Sequence, residues 1–119
     1  MAKYIDGFLL PLNAENIERY KEIAQAAGEI WKEYGALEYI ETAGDDLEHD
    51  KMVSFKKSAD AQEGETAIFS FIVFESKEER DRINALVMAD ERLKEIMSCD
   101  KLFDYTRMAY GGFNAIVEL

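Results

Sequence analysis

This sequence predicts an α+β fold, a ferredoxin-like βαββαβ protomer with an antiparallel sheet and its helices on one face. Three observations carry the prediction. Residues Thr66 to Glu75 are a near-continuous run of β-branched and aromatic side chains, the pattern of a strand buried on both faces. Ser76-Lys77-Glu78-Glu79 follows at once, and a Ser with Glu three residues later is a capping box that starts a helix. Upstream, Ile17, Tyr20, Ala24, Ala27, Trp31 and Tyr34 recur every three or four residues, which predicts an amphipathic helix. Two βαβ halves place the first strand and the Thr66 strand at the centre, with the last strand antiparallel beside the first. The chain is read as a single domain over residues 1–119.

The first strand is Tyr4 to Leu10, with Tyr4, Asp6, Phe8 and Leu10 on one face and Ile5, Gly7 and Leu9 on the other. Pro11, the only proline, is expected to end it. Asn13 caps a helix from about Ala14 to Tyr34, and Gly35 closes it. Ala36 to Ala43 is a second strand with mixed faces. Met52 to Ser58 reads as a further strand, turning near Gln62-Glu63-Gly64 to pair with Thr66 to Phe74; Ala36–Ser58 is treated as one interrupted edge region. The helix from Ser76 points Ile83, Leu86 and Val87 inward and carries a Glu78/Arg82 pair. Asp90 caps a short helix with Leu93, Ile96 and Met97 on its apolar side, and Ser98 to Lys101 is a loop. Tyr105 to Tyr110 is the last principal strand, ended or kinked at Gly111-Gly112, and Phe113 to Leu119 is an apolar tail.

Composition narrows the partners. A net charge of −11 opposes a phosphate backbone, and Lys56-Lys57 and Arg80/Arg82 are too sparse to form a basic patch, so nucleic acid and anionic membranes are disfavoured. No window approaches the roughly 20 apolar residues of a membrane span. The N-terminus lacks an apolar stretch before a small-residue cleavage site. Cys99 is the only cysteine, which rules out an internal disulfide and fits a reducing, cytoplasmic compartment.

Two helices cover one sheet face only. The other presents apolar side chains from several strands, an unusual surface for a soluble monomer. A homodimer paired face to face about a two-fold axis closes it, giving an α/β barrel with a small cavity between the sheets.

Several segments together resemble a known family. Lys3-Tyr4-Ile5-Asp6-Gly7-Phe8, Glu33-Tyr34-Gly35-Ala36, Ile68-Phe69-Ser70-Phe71, Ser76-Lys77-Glu78-Glu79-Arg80-Asp81, Met88-Ala89-Asp90-Glu91-Arg92 and Arg107-Met108-Ala109-Tyr110-Gly111-Gly112-Phe113 are similar to the YbaA-like bacterial proteins. These form the domain-of-unknown-function family numbered 1428, within the dimeric α/β-barrel superfamily. The similarity runs in order along nearly the whole chain. It implies a ferredoxin-like protomer, a dimer and no established activity. Typical members have Asp-Pro-Arg where this chain has Asp90-Glu91-Arg92. Superfamily relatives that are cofactor-independent monooxygenases or isomerases make an enzyme the alternative to small-molecule binding; a structural dimer acting through a protein partner is the third reading.

No motif names a reaction. Asp6 and Arg107 are the catalytic candidates, charged residues inside apolar strands expected to be adjacent. Asp6 would act as base or orienter and Arg107 would stabilise an oxyanion, although a structural ion pair is the more ordinary outcome. Tyr4 and Tyr105, on the same faces, are the ligand-binding candidates. His49 is the sole histidine and lies in an acidic loop, where solvent exposure accounts for it. Asp45, Asp46, Glu48 and Asp50 lack the ordered spacing of a cation loop, so no metal and no cofactor is expected. Cys99 has no activating motif and reads as an inert thiol. Gly111-Gly112 has the wrong spacing for a phosphate loop. Trp31, Tyr34, Phe69, Phe71, Met88 and Met108 read first as core or interface.

Overall fold

The computed structural model describes residues 2–98, 102 and 104–119, and within them four strands form one antiparallel sheet in the order β2-β3-β1-β4. The strands are β1 (Tyr4–Asn13), β2 (Glu38–Ala43), β3 (Glu65–Phe74) and β4 (Ala109–Asn114). The helices are α1 (Ile17–Tyr34), α2 (Phe55–Ser58), α3 (Lys77–Ala89) and α4 (Glu91–Ser98). This is the ferredoxin-like arrangement, with β1 and β3 central over ten paired positions from Tyr4↔Phe74 to Asn13↔Glu65.

Strand alternation sorts the side chains. Even-numbered residues of β1 and β3 face the helices: Leu10, Leu12 and Ile68 pack on Tyr20 and Ala24 of α1. At the other end of the sheet, Ile72 and Phe74 pack with Ile30, Ile83, Val87 and Leu93 from α1, α3 and α4. Phe74, Ile83 and Val87 are completely buried. Odd-numbered residues form the outer face, where Ile5, Leu9, Phe69, Phe71 and Phe113 lie on adjacent positions of three strands.

Helix starts and stops follow local chemistry. Asn13 Oδ1 accepts from Glu15 N, but the chain first makes a 3-10 turn over Ala14–Asn16 before α1 begins. Gly35 closes α1 at φ 121°, a conformation that costs glycine nothing and other residues a Cβ clash. Ser76 Oγ accepts from Glu79 N at 3.2 Å and caps α3. The reciprocal half of the capping box is absent, because the Glu79 carboxylate turns to Arg82 instead, at 2.8 Å. That contact also replaces the expected Glu78/Arg82 pair.

The structure corrects several other expectations. Pro11 does not end β1, which runs on to Asn13. The proline is tolerated because the carbonyl of Ala67 opposite it accepts from Gly44 N, on the β2 side. In an antiparallel ladder this is a non-hydrogen-bonded pair, so Pro11 is asked for no donor there. Met52 to Ser58 is not a strand: Ser54 caps the single turn of α2, and β3 pairs instead with β2. Leu86 is 41% exposed rather than inward. The last strand starts at Ala109, because Asp104 Oδ1 accepts from Thr106 N and winds Tyr105–Arg107 into a 3-10 turn. Gly111-Gly112 lies inside that strand. The expectations for Cys99 and for the loop up to Lys101 fall outside the described residues.

Replacing the α3 cap should be measurable. Ser76→Ala is expected to lower stability by about 1 kcal/mol, the usual cost of a lost N-cap, read from the thermal or urea midpoint.

Candidate ligand cavity

Between the helices and the inner face of the sheet lies a cavity of about 430 Å³. It lies within one protomer, a different place from the inter-sheet cavity expected of a dimer. Its walls are largely apolar, drawn from Phe8 on β1, Trp31 on α1, Met88 on α3, Ile96 on α4 and Met108 before β4. It separates the two packed clusters of the core.

One end of the cavity is built on Asp6. This residue sits in the middle of β1, is 1% exposed, and points at α3. Asp6 Oδ2 accepts from Asn84 Nδ2 at 3.1 Å, and Asn84 Oδ1 in turn accepts from Trp31 Nε1 at 2.9 Å. Asp6 Oδ1 lies 3.4 Å from Arg80 Nε, an ion pair without hydrogen-bond geometry, and accepts no hydrogen bond from the described residues. Arg80 donates from Nη2 to Tyr4 Oη at 3.0 Å and stacks over the Tyr4 ring, 4.7 Å from its centre. Burial, and next the Asp6 carboxylate, push the Tyr110 phenol above its ordinary value.

A second polar cluster centres on Glu41 of β2, and the Ser70 hydroxyl also lines the cavity. Tyr20 Oη and Tyr39 Oη each donate to one Glu41 oxygen at 2.7 Å. Burial first, and then the neighbouring Glu41 carboxylate, push both phenols far above the ordinary range, so both remain donors at any pH the protein meets. Glycine makes room for this arrangement: a Cβ at Gly28 of α1 would lie 2.6 Å from Cε1 of the Tyr39 ring.

The four sequence candidates are dispersed. Asp6 and Tyr105 line the cavity. Tyr4 is buried and does not line it; its hydroxyl accepts from Arg80, which pairs with the cavity-lining Asp6. Arg107 is elsewhere, and the expected Asp6–Arg107 pair does not form. Its guanidinium grips both carboxylate oxygens of Glu65, at 2.8 and 2.9 Å, and the Asp60 carbonyl at 2.8 Å. That bond to Arg107 holds the Glu65 carboxyl below its ordinary value. Glu65 opposes Asn13, seven rungs along β1 from Asp6, or roughly 24 Å at strand rise. Asp6 is instead opposite Gly112. The partners sequence reasoning missed are Arg80 and Asn84, together with Tyr20, Tyr39 and Glu41. Arg80 and Asn84 fall on the same helical stripe as Ile83 and Val87, which is the signal that would have found them.

The remaining candidates take ordinary places. His49 Nδ1 accepts from Met52 N in an exposed turn. Among the described residues, no cluster of His, Cys, Asp or Glu could hold a metal ion, and no helix is long and apolar enough to cross a membrane. Trp31, Met88 and Met108 line the cavity, while Tyr34 donates to Asp90 at 2.7 Å.

The model of the family described as "Protein of unknown function (DUF1428)" matches residues 3–105. The chain belongs to that family. It is 39% identical over 116 residues to the "Uncharacterized protein YbaA" of Escherichia coli K12, covering 98% of both chains, and equally to the YbaA of Shigella flexneri. Family and relatives carry no established activity. Among solved structures, a NIPSNAP family protein of unknown function from Agrobacterium tumefaciens aligns with a TM-score of 0.59 at 16% identity, over 96% of this chain and 88% of that one. A dimeric ferredoxin-like protein from an uncultured marine organism aligns over 100% of both chains, with a TM-score of 0.60 at 8% identity. Both share the fold.

The Asp6 network leaves no room at Gly112, where an added Cβ would collide with Tyr4 Oη and the Arg80 guanidinium. Gly112→Ala should therefore cost about 1–3 kcal/mol by overpacking, visible in chemical denaturation, whereas the same change at Gly111, where a Cβ would meet the Phe113 ring only at an ordinary 3.6 Å, should leave the Arg80 contacts intact.

Proposed function

We propose that this protein binds a small, largely apolar molecule in the cavity between its helices and its sheet. The observation that carries this reading is the cavity itself: its volume lies in the range of small-molecule sites, its walls are apolar, and a few polar groups converge at fixed points. Asp6 and Tyr105 are the ligand contacts. Tyr4 positions Arg80 against Asp6, and Arg107 serves the fold by tying the 3-10 turn to the start of β3.

The same reading includes a homodimer formed through the outer sheet face, and a cytoplasmic location consistent with a single cysteine. Support for the dimer comes from the exposed rings and branched side chains there: Phe113 at 60%, Phe69 at 43% and Ile40 at 38%. Phe55 of α2 packs its ring 5.7 Å from Phe69 and shields only one edge. A contiguous face of this kind favours burial against a second copy. The marine structural relative is described as dimeric.

The neutral fluorophore N-phenyl-1-naphthylamine tests the cavity. Its emission should rise on binding, and the rise should be lost when the space is filled by Ala24→Phe or, from the exposed rim, Met88→Trp, with circular dichroism confirming the fold. Unchanged binding in both folded variants would refute the cavity as the site. For the dimer, sedimentation at micromolar concentration should give twice the chain mass, falling to one chain in Phe69→Lys; a monomeric wild type would end that part of the reading.

A further inference from the structure

We propose that the ligand is an apolar ring compound carrying a carbonyl or similar accepting oxygen, and that Ser70 is the residue that selects for it. This rests on the binding reading above and adds the chemical class and the side chain that reads it.

Strand register gives the cavity a floor. Glu41 of β2 lies opposite Ser70 of β3, Ser70 opposite Phe8 of β1, and Phe8 opposite Tyr110 of β4. These positions form one rung across the whole sheet, and all of them line the cavity. Ser70 is therefore in the middle of the floor, with the Cβ atoms of Glu41 and Phe8 about 5 Å to either side.

Ser70 also stands apart from the other hydroxyls there. Among the described residues, the phenols of Tyr20, Tyr39, Tyr105 and Tyr110 line the same space. Tyr20 and Tyr39 give their protons to Glu41. Tyr105 and Tyr110 are half exposed, so solvent serves them, and Tyr105 also donates to Met97 Sδ at 3.2 Å. Ser70 is 5% exposed, and its hydroxyl has no hydrogen-bond partner among the described residues. The oxygen is not sealed in by neighbouring atoms; it opens onto the cavity.

A ligand that fills the cavity shuts the floor off from water. A pure hydrocarbon would leave the Ser70 hydroxyl with nothing to donate to, which costs more than an ordinary hydrogen bond is worth. An accepting oxygen placed over Ser70 removes that cost. The aromatic walls set where the rest of the molecule lies. Phe8 and Tyr110 hold their ring centres 5.0 Å apart on the β1 and β4 side, and Tyr39 and Trp31 hold theirs 5.9 Å apart on the β2 side. Flat rings pack well on such faces. Ser70 is on the strand between, facing the oxygen-bearing edge of a ring held by either pair.

Two isosteres test this by competition with N-phenyl-1-naphthylamine: 2-acetylnaphthalene and 2-isopropenylnaphthalene, which differ only in C=O against C=CH2. The hydrocarbon leaves water more readily, so the deciding quantity is the ratio of their dissociation constants in the wild type against that in Ser70→Ala, where the solvent contribution cancels. The preference for the ketone should fall about fivefold in Ser70→Ala, the size of one ordinary hydrogen bond. Without ligand, Ser70→Ala should melt no lower than the wild type, because the hydroxyl holds nothing in the fold. An unchanged ratio overturns the assignment, and so does a melting temperature several degrees lower or a failure to fold, which would give the hydroxyl a structural task. Either result leaves the cavity reading in place; failure of the fluorophore to bind the wild type would remove both.

Discussion

A carboxylate in the centre of a sheet constrains whatever packs on it. Among the described residues, Asp6 is the one acidic side chain that is fully buried. Left alone, a buried charge of that kind costs several kcal/mol. The helix that crosses above it must therefore offer a cation and a donor together, and α3 does so with Arg80 and Asn84 one turn apart. From that requirement much else follows. Arg80 needs a second partner on its far side, which Tyr4 provides. The strand beside Tyr4 must carry no side chain where the guanidinium lies, which explains Gly112. The Asn84 carbonyl oxygen needs a donor, and Trp31 Nε1 supplies it, which ties α1 to α3. A single charged residue thus fixes the relative setting of two strands and two helices.

The cavity sits where this polar system interrupts the apolar packing. The helix-facing side of the sheet has two clusters, one around Leu10, Leu12 and Ile68, the other around Ile72, Phe74 and Ile83. Large rings span the gap between them without filling it, because Tyr20 and Tyr39 are drawn to Glu41 rather than to each other. Space inside a core costs stability through lost contacts. Its retention, with polar atoms held in set orientations at its rim, is the physical ground for reading it as a site.

Much of the fold was legible because its signals were periodic. The β3 run, the α1 stripe and the Ser76 cap each specified an element, and alternation put Asp6, Phe8 and Leu10 on the right face. What failed was local winding. Nothing in the Tyr105-Thr106-Arg107 composition distinguishes a strand from a 3-10 turn; the Asp104 side chain decides it by capturing Thr106 N. A strand begun four residues early moved Arg107 into the sheet and created a false partner for Asp6. The Glu41 cluster was illegible for another reason. Tyr20 and Glu41 are 21 residues apart and meet only because α1 packs back over β2, through a glycine at position 28 that any sequence reading would pass over.

Pro11 has an effect beyond its own strand. β4 pairs with β1 only from Tyr4 to Leu9, so the remainder of β1 is a border of the sheet on that flank. Pro11 stands in that border, buried rather than open to solvent, and its ring takes the place of the amide hydrogen that would point away from β3. A neighbouring chain seeking to extend the sheet there finds a missing rung. Cover and missing donor together block lateral growth along this stretch, and association is steered away from open-ended stacking of strands towards contacts that close on themselves.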